Sequence, residues 1–149
     1  MEISGTIRQI LATKGSEVST TTPETLVFDA LTQMGEKNIG ALVVMEGDTV
    51  AGIFSERDYS RKVILQGKSS RSTRVGEILS RPAISIAPDD SIEECMKRMT
   101  LNRIRHLPVV DGERLLGLVS MGDVVNWIMQ AQRHAIQQLT EYISGQYPA

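Results

Sequence analysis

The stretch Gly52-Ile53-Phe54-Ser55-Glu56-Arg57-Asp58 returns 65 positions later as Gly117-Leu118-Val119-Ser120-Met121-Gly122-Asp123. The correspondence runs well beyond this phrase. Residues 23–58 align with 88–123 without a gap, and nine of the 36 pairs are identical. They are Pro23/Pro88, Met34/Met99, Ile39/Ile104, Leu42/Leu107, Val44/Val109, Gly47/Gly112, Gly52/Gly117, Ser55/Ser120 and Asp58/Asp123. Chance alone gives about two, so the chain is an internal duplication. Whatever fold it adopts must be made of two similar units.

Each copy carries the same physical pattern. Val27, Ala30, Leu31 and Met34 repeat as Ile92, Cys95, Met96 and Met99. Both sets have the spacing i, i+3, i+4, i+7, one apolar stripe on a helix. A short apolar run follows, ALVVM at 41–45 and LPVV at 107–110. Then come the turns EGD at 46–48 and DGE at 111–113, where Gly supplies the positive φ of a tight hairpin. A second apolar run leads into Ser-x-x-Asp, which opens another helix. Short strands are expected before each unit, near Val18-Ser19-Thr20 and Ile84-Ser85-Ile86. The unit reads strand, helix, strand, strand, helix. At roughly 55–60 residues it is too small to bury a strong core alone. An α/β (α+β) fold is therefore expected, with two β-α-β-β-α repeats packed sheet to sheet.

Three segments flank the repeats. Ile3, Ile7, Ile10 and Leu11 form an apolar helical stripe, QGKSSRSTR at 66–74 is a polar, basic connector, and the tail from Val124 reads as one long helix. Ile128, Ala131, Ala135, Leu139, Tyr142 and Ile143 give that helix an apolar stripe free to meet another subunit. The expected organisation is an N-terminal helix and lead-in at 1–17, a first domain at 18–65 and a linker at 66–74. A second domain spans 75–130, and a helical extension 131–149.

Composition narrows the function classes. The net charge of −2 gives no reason to expect nucleic-acid binding. No apolar run approaches the roughly 20 residues of a membrane span, and the N-terminus lacks a signal-peptide core, so a soluble, cytoplasmic protein is expected. The lone Cys95 replaces Ala30 on a buried stripe and reads as core rather than nucleophile. Gly67-Lys68-Ser69 lacks the earlier Gly of a phosphate loop, because Lys62 stands there. Two His and one Cys make no convincing metal site. No activated nucleophile or acid–base pair is evident, so no enzyme activity is expected.

The doubled Gly-h-h-Ser-x-x-Asp (h, apolar), the run Ile-x-x-Leu-Pro-Val-Val-Asp-Gly at 104–112 and the helix order resemble a tandem pair of cystathionine-β-synthase (CBS) domains. This regulatory module is also found in IMP dehydrogenase and AMP-activated protein kinase. SERDYSRKVILQGKSS and RIRHLPVVDG resemble small stand-alone bacterial members. The resemblance implies a non-catalytic sensor of energy or redox state that binds AMP, ADP, ATP or NAD(H) between the repeats. It also implies a homodimer, acting on a separate protein target. Two alternatives remain: an S-adenosylmethionine sensor, and a structural dimerisation module without ligand.

An adenosine ligand needs a carboxylate for its ribose hydroxyls, donors for phosphate and an apolar slot for the base. Asp58 and Asp123 match the family residues that hold ribose, with Ser55 and Ser120 beside the phosphate. Ile39 to Leu42, including Ala41, and Ile53 are expected to line a first cleft. Ile104 to Pro108 and Leu118 are expected to line a second. Arg57 either reaches a phosphate or pairs on the surface. Arg105 matches a position where some members place a phosphate-contacting cation, and a solvated Arg is the alternative. His106 reads mainly as structural, and Lys14 is a weaker phosphate candidate. The plain alternative is that each Ser-x-x-Asp is only a helix cap. Glu56-Arg57 against Met121-Gly122 implies that the two clefts differ.

Overall fold

The computed structural model describes residues 3–79 and 83–145; residues 1–2, residues 80–82 of the second domain and the last four of the extension lie outside these. The helices are α1 (Ile7–Lys14), α2 (Val27–Lys37), α3 (Glu56–Lys62), α4 (Val75–Ile78), α5 (Ile92–Asn102) and α6 (Met121–Ile143). The strands are β1 (Thr20–Thr21), β2 (Ala41–Glu46), β3 (Thr49–Ser55), β4 (His106–Asp111) and β5 (Arg114–Ser120). Repeat one forms a sheet in the order β1-β2-β3, and repeat two forms the hairpin β4-β5. The expected α/β arrangement is present.

The duplication extends to backbone detail. Gly47 and Gly112 turn the two hairpins at φ 60° and 63°. Register slips at Val44/Met45 in one hairpin and at the equivalent Val109/Val110 in the other. Three residues of each stripe read from sequence are buried, Val27, Ala30 and Met34 on α2 and Ile92, Cys95 and Met99 on α5, with Leu31 and Met96 half-buried beside them.

The leading strand is the exception. In repeat one, Val43 donates its N–H to Ser19 O at 3.1 Å and β1 pairs with β2 in parallel. Pro108 stands at Val43's place in repeat two and has no N–H to give. The strand expected at Ile84-Ser85-Ile86 accordingly shrinks to one bridge, Ile86 with Val109. The first strand also sits slightly later than expected, at Thr20–Thr21.

The core is divided in two. One cluster joins α2, β2 and β3 with Val63, Val75 and Ile78; the other joins α5, β4, β5 and α6 with Ile7, Ile10 and Leu11. Each lead helix therefore packs on the other repeat. The hydrogen bonds match pair for pair. Ile7 and Arg8 donate their N–H groups to Asp90 O and Pro88 O at 3.1 and 2.7 Å. Val75 and Gly76 donate to Thr25 O and Pro23 O, both at 2.9 Å. This exchange ties repeats that are too small to stand alone, and the sheets meet along β3, β4 and β5.

The connector is also tied down. Phe28 N–H donates to Ser70 O at 2.9 Å, and the Arg71 guanidinium lies 4.0 Å over the Phe28 ring. Gly67, at φ 72°, closes a 3-10 turn at Ile64–Gln66, so helical structure rather than a strand precedes Lys68-Ser69. Helix α6 runs unbroken for 23 residues, with Val124 as its buried residue.

Candidate functional site

Both Ser-x-x-Asp phrases are helix caps. At β3–α3, Asp58 donates its N–H to Ser55 Oγ at 3.2 Å, and its Oδ2 accepts the Ser55 N–H at 2.9 Å. At β5–α6 the same bonds measure 3.1 and 2.8 Å between Asp123 and Ser120. Reciprocal capping satisfies two otherwise unpaired N–H groups at each helix start. The copies diverge in the cation each carboxylate meets: Lys14 bonds the capping oxygen Oδ2 of Asp123, whereas Lys62 faces the second oxygen, Oδ1, of Asp58.

Asp58 lies on the wall of a cleft of about 580 Å³. The cleft runs between the repeats. Repeat one contributes Gly40, Gly52, Ile53 and the start of α3; repeat two contributes Ala83, Ile84 and residues 102–106. Asp58 forms an ion pair with Lys62, one helical turn on, at 3.4 Å. Arg57, Arg61, Lys62, Arg103 and Arg105 line the same space, opposed by Glu56 and Asp58. The chain as a whole carries −2, so this cationic rim is a local concentration of charge. His106 also lines the cleft; burial first, then Lys14 and Arg105, lower its pKa against the pull of Asp123, favouring neutral imidazole.

Asp123 faces a filled space. Lys14, at the end of α1, places Nζ 2.6 Å from Asp123 Oδ2 and 2.9 Å from Leu118 O. One turn earlier, Leu11 packs over Gly117, whose added Cβ would lie 2.8 Å from Leu11 Cδ2. Burial raises the Asp123 pKa, but bonds from Lys14 and Ser120 outweigh it and leave the carboxyl below its ordinary value.

The matching helix on the other repeat ends differently. With Ile7 matched to Val75, Leu11 corresponds to Leu79 and Lys14 to Pro82. Helix α4 stops at Ile78 and Leu79 is extended, so α4 lacks the second turn with which α1 covers Gly117 and Asp123. Lys62 instead closes its end, donating to Ile78 O at 3.1 Å.

The structure thus sorts the expected site residues. Ser55, Arg57, Asp58, Ile53, Arg105 and His106 meet in one cleft. Residues expected to line two separate clefts share it, because its walls come from both repeats. Ile39 packs against the first core, and Ala41 is buried at the start of β2. Leu118, Ser120, Asp123 and Lys14 gather around the covered position. Sequence reasoning missed Arg61 and Arg103. Arg103 had a signal: it replaces Asn38 at the residue that ends the helix, where Asn is the favoured type. Cys95 is buried, and burial pushes its thiol up to about 11, consistent with a core residue.

No described helix is long and apolar enough to cross a membrane. Among the described residues, no group of three or more His, Cys, Asp or Glu is placed to hold a metal ion.

Comparison with known proteins matches the CBS domain family at residues 7–64 and 75–130. CBS domain-containing protein CBSX3, mitochondrial, of Arabidopsis thaliana is 41% identical over 99% of this chain and 78% of its own. CBS domain-containing protein YhcV of Bacillus subtilis is 32% identical over 75% of this chain and 79% of its own. A solved CBS-domain protein from Burkholderia ambifaria MC40-6 superposes with a TM-score of 0.82 at 48% identity, covering 86% of this chain and 96% of its own. CBS-domain proteins are in general regulatory, nucleotide-binding modules. The chain belongs to the CBS domain family and carries two CBS domains in tandem.

Proposed function

We propose that the protein is a non-catalytic regulatory module that binds an adenine nucleotide, AMP, ADP, ATP or NAD(H), in the cleft beside Asp58. The observation that carries this reading is the pairing of Asp58 with a cationic rim across one open cleft between the repeats. A carboxylate accepts from a ribose diol, cations meet phosphate, and Ile53, Ile84 and Ile104 offer apolar surface to a base. The Asp123 position is already filled by Lys14, so the expected stoichiometry is one ligand per chain. A ligand spanning both repeats biases their relative placement only through its differential affinity for the two arrangements. The output then passes to a second copy through the apolar face of α6, or to a separate protein, in the cytoplasm.

The test is calorimetric and thermal-shift titration with AMP, ADP, ATP, NAD(H) and S-adenosylmethionine. Ligand at 100 times its dissociation constant stabilises the fold by about 2.7 kcal/mol. Asp58→Asn is expected to weaken binding at least tenfold, about 1.4 kcal/mol, while Asp123→Asn leaves it within about twofold. Absence of any shift at millimolar ligand would remove the nucleotide reading and leave a structural pairing module.

A further inference from the structure

We infer that the cleft selects a nucleoside polyphosphate over the monophosphate, and that Arg103 is a specificity-determining residue. The inference rests on the nucleotide reading above and names the ligand class of that site. Among the described residues that line the cleft, five are cationic and two are carboxylates, an excess of three. Their partners differ. Lys62 pairs with Asp58, and Arg57 donates through Nη1 to Arg103 O at 3.2 Å. Among the described residues, Arg61, Arg103 and Arg105 have no carboxylate partner. A nucleoside monophosphate brings a charge of about −2 at neutral pH, and each further phosphate adds about one more. Neutralising an excess of three takes a di- or triphosphate, and a cleft of about 580 Å³ has room for one.

Arg103 is singled out by its backbone. It ends α5 in the left-handed region, φ 54° and ψ 44°. Its counterpart ending α2 is Asn38, at φ 53° and ψ 49°. Asn adopts this conformation readily, whereas an Arg there carries strain. The strained choice occurs in the copy whose residue lines the cleft. It is pinned there: the Arg103 N–H donates to Thr100 O at 3.3 Å, and its carbonyl accepts Arg57. A backbone held in a costly conformation beside a cleft marks a side chain whose placement matters.

The test is titration with adenosine, AMP, ADP, ATP and inorganic triphosphate at fixed ionic strength, with EDTA present so that the full phosphate charge is offered. ATP is expected to bind at least tenfold more tightly than AMP, and AMP more tightly than adenosine. Arg103→Asn supplies the residue that repeat one uses at this turn, so folding is preserved. That variant should lose most of the ATP-over-AMP preference, with ATP affinity falling by a larger factor than AMP affinity. Equal affinity for AMP and ATP, or an equal loss of both in Arg103→Asn, overturns this inference and leaves nucleotide binding standing. No binding of any adenosine compound overturns the reading beneath it. Inorganic triphosphate binding as tightly as ATP overturns both.

Discussion

Replacing Lys14 by Met removes the ammonium that fills the second Asp position while keeping the side chain's length and helix propensity. The bond it breaks is short: 2.6 Å to Asp123, with a second donated to Leu118 O at 2.9 Å. Hydrogen bonds to charged groups contribute about 1.5–3 kcal/mol when well shielded. Here the two side chains remain 35% and 22% exposed, so water screens part of the attraction. A loss of about 1–2 kcal/mol is therefore expected. For a chain of this size, that corresponds to a Tm lower by about 3–6 °C. The pH dependence supplies a second signature. Asp123 has its carboxyl pKa held below the ordinary value, with Lys14 supplying the largest lowering contribution. Such a group stabilises the fold above the unfolded carboxylate pKa and loses that contribution as pH falls through its folded pKa. The wild type and Lys14→Met should thus differ most near pH 7 and converge in acid. The assay is thermal unfolding by circular dichroism from pH 3 to pH 8, without ligand. A Tm difference below about 1 °C at pH 7, or one that does not shrink in acid, would refute the account of Lys14 as an internal cation for Asp123.

Two further outcomes check the same architecture. Gly117→Ala puts a Cβ 2.8 Å from Leu11 Cδ2, a flexible side-chain end that can turn aside. It should cost only about 1 kcal/mol, and in a Leu11→Ala background the added methyl should cost less still, a non-additivity read by chemical denaturation. Helix α6 leaves Ile136 and Leu139 65% and 59% exposed. Replacing both with Ser should lower the sedimenting mass toward one chain, with monomer stability changed by under about 0.5 kcal/mol if this face serves assembly.

The sequence disclosed the elements and much of their local chemistry. The i, i+3, i+4, i+7 stripes became α2 and α5, the Gly-containing turns became hairpins, and both Ser-x-x-Asp phrases became caps. These are short-range matters, set by neighbours in the chain. The clefts were less legible because they depend on which repeat a flanking helix joins. The lead helices correspond at an offset of 68 rather than 65, outside the ungapped alignment, so their equivalence and their exchange between repeats were hidden. Lys14 illustrates the consequence. As an isolated basic residue it read as a weaker phosphate candidate, and α1 carries it to Asp123 on the far repeat. Arg103 was passed over although it stands where Asn38 ends the first helix; its place on the cleft emerges only in the fold.

One turn of helix adds to the asymmetry between the two Asp positions. Duplication yields two equal scaffolds, each with a Gly at the cleft and an Asp at the next helix start. Within the aligned segments the copies already differ, Arg57, Arg103 and Arg105 standing opposite Gly122, Asn38 and Gly40. A further difference lies outside them. Helix α1 continues past Ile10, bringing Leu11 over Gly117 and Lys14 onto Asp123, whereas α4 ends at the matching Ile78. The same covering turn adds Leu11 to the second core. Leu79, the counterpart of Leu11, packs on the first core too, so the copies differ in how the lead helix ends and in the lysine that α1 delivers to Asp123. Extending α4 by a turn that copies the end of α1 should therefore stabilise the fold and weaken nucleotide binding together. A variant in which these two effects separate would show that cleft opening is governed elsewhere.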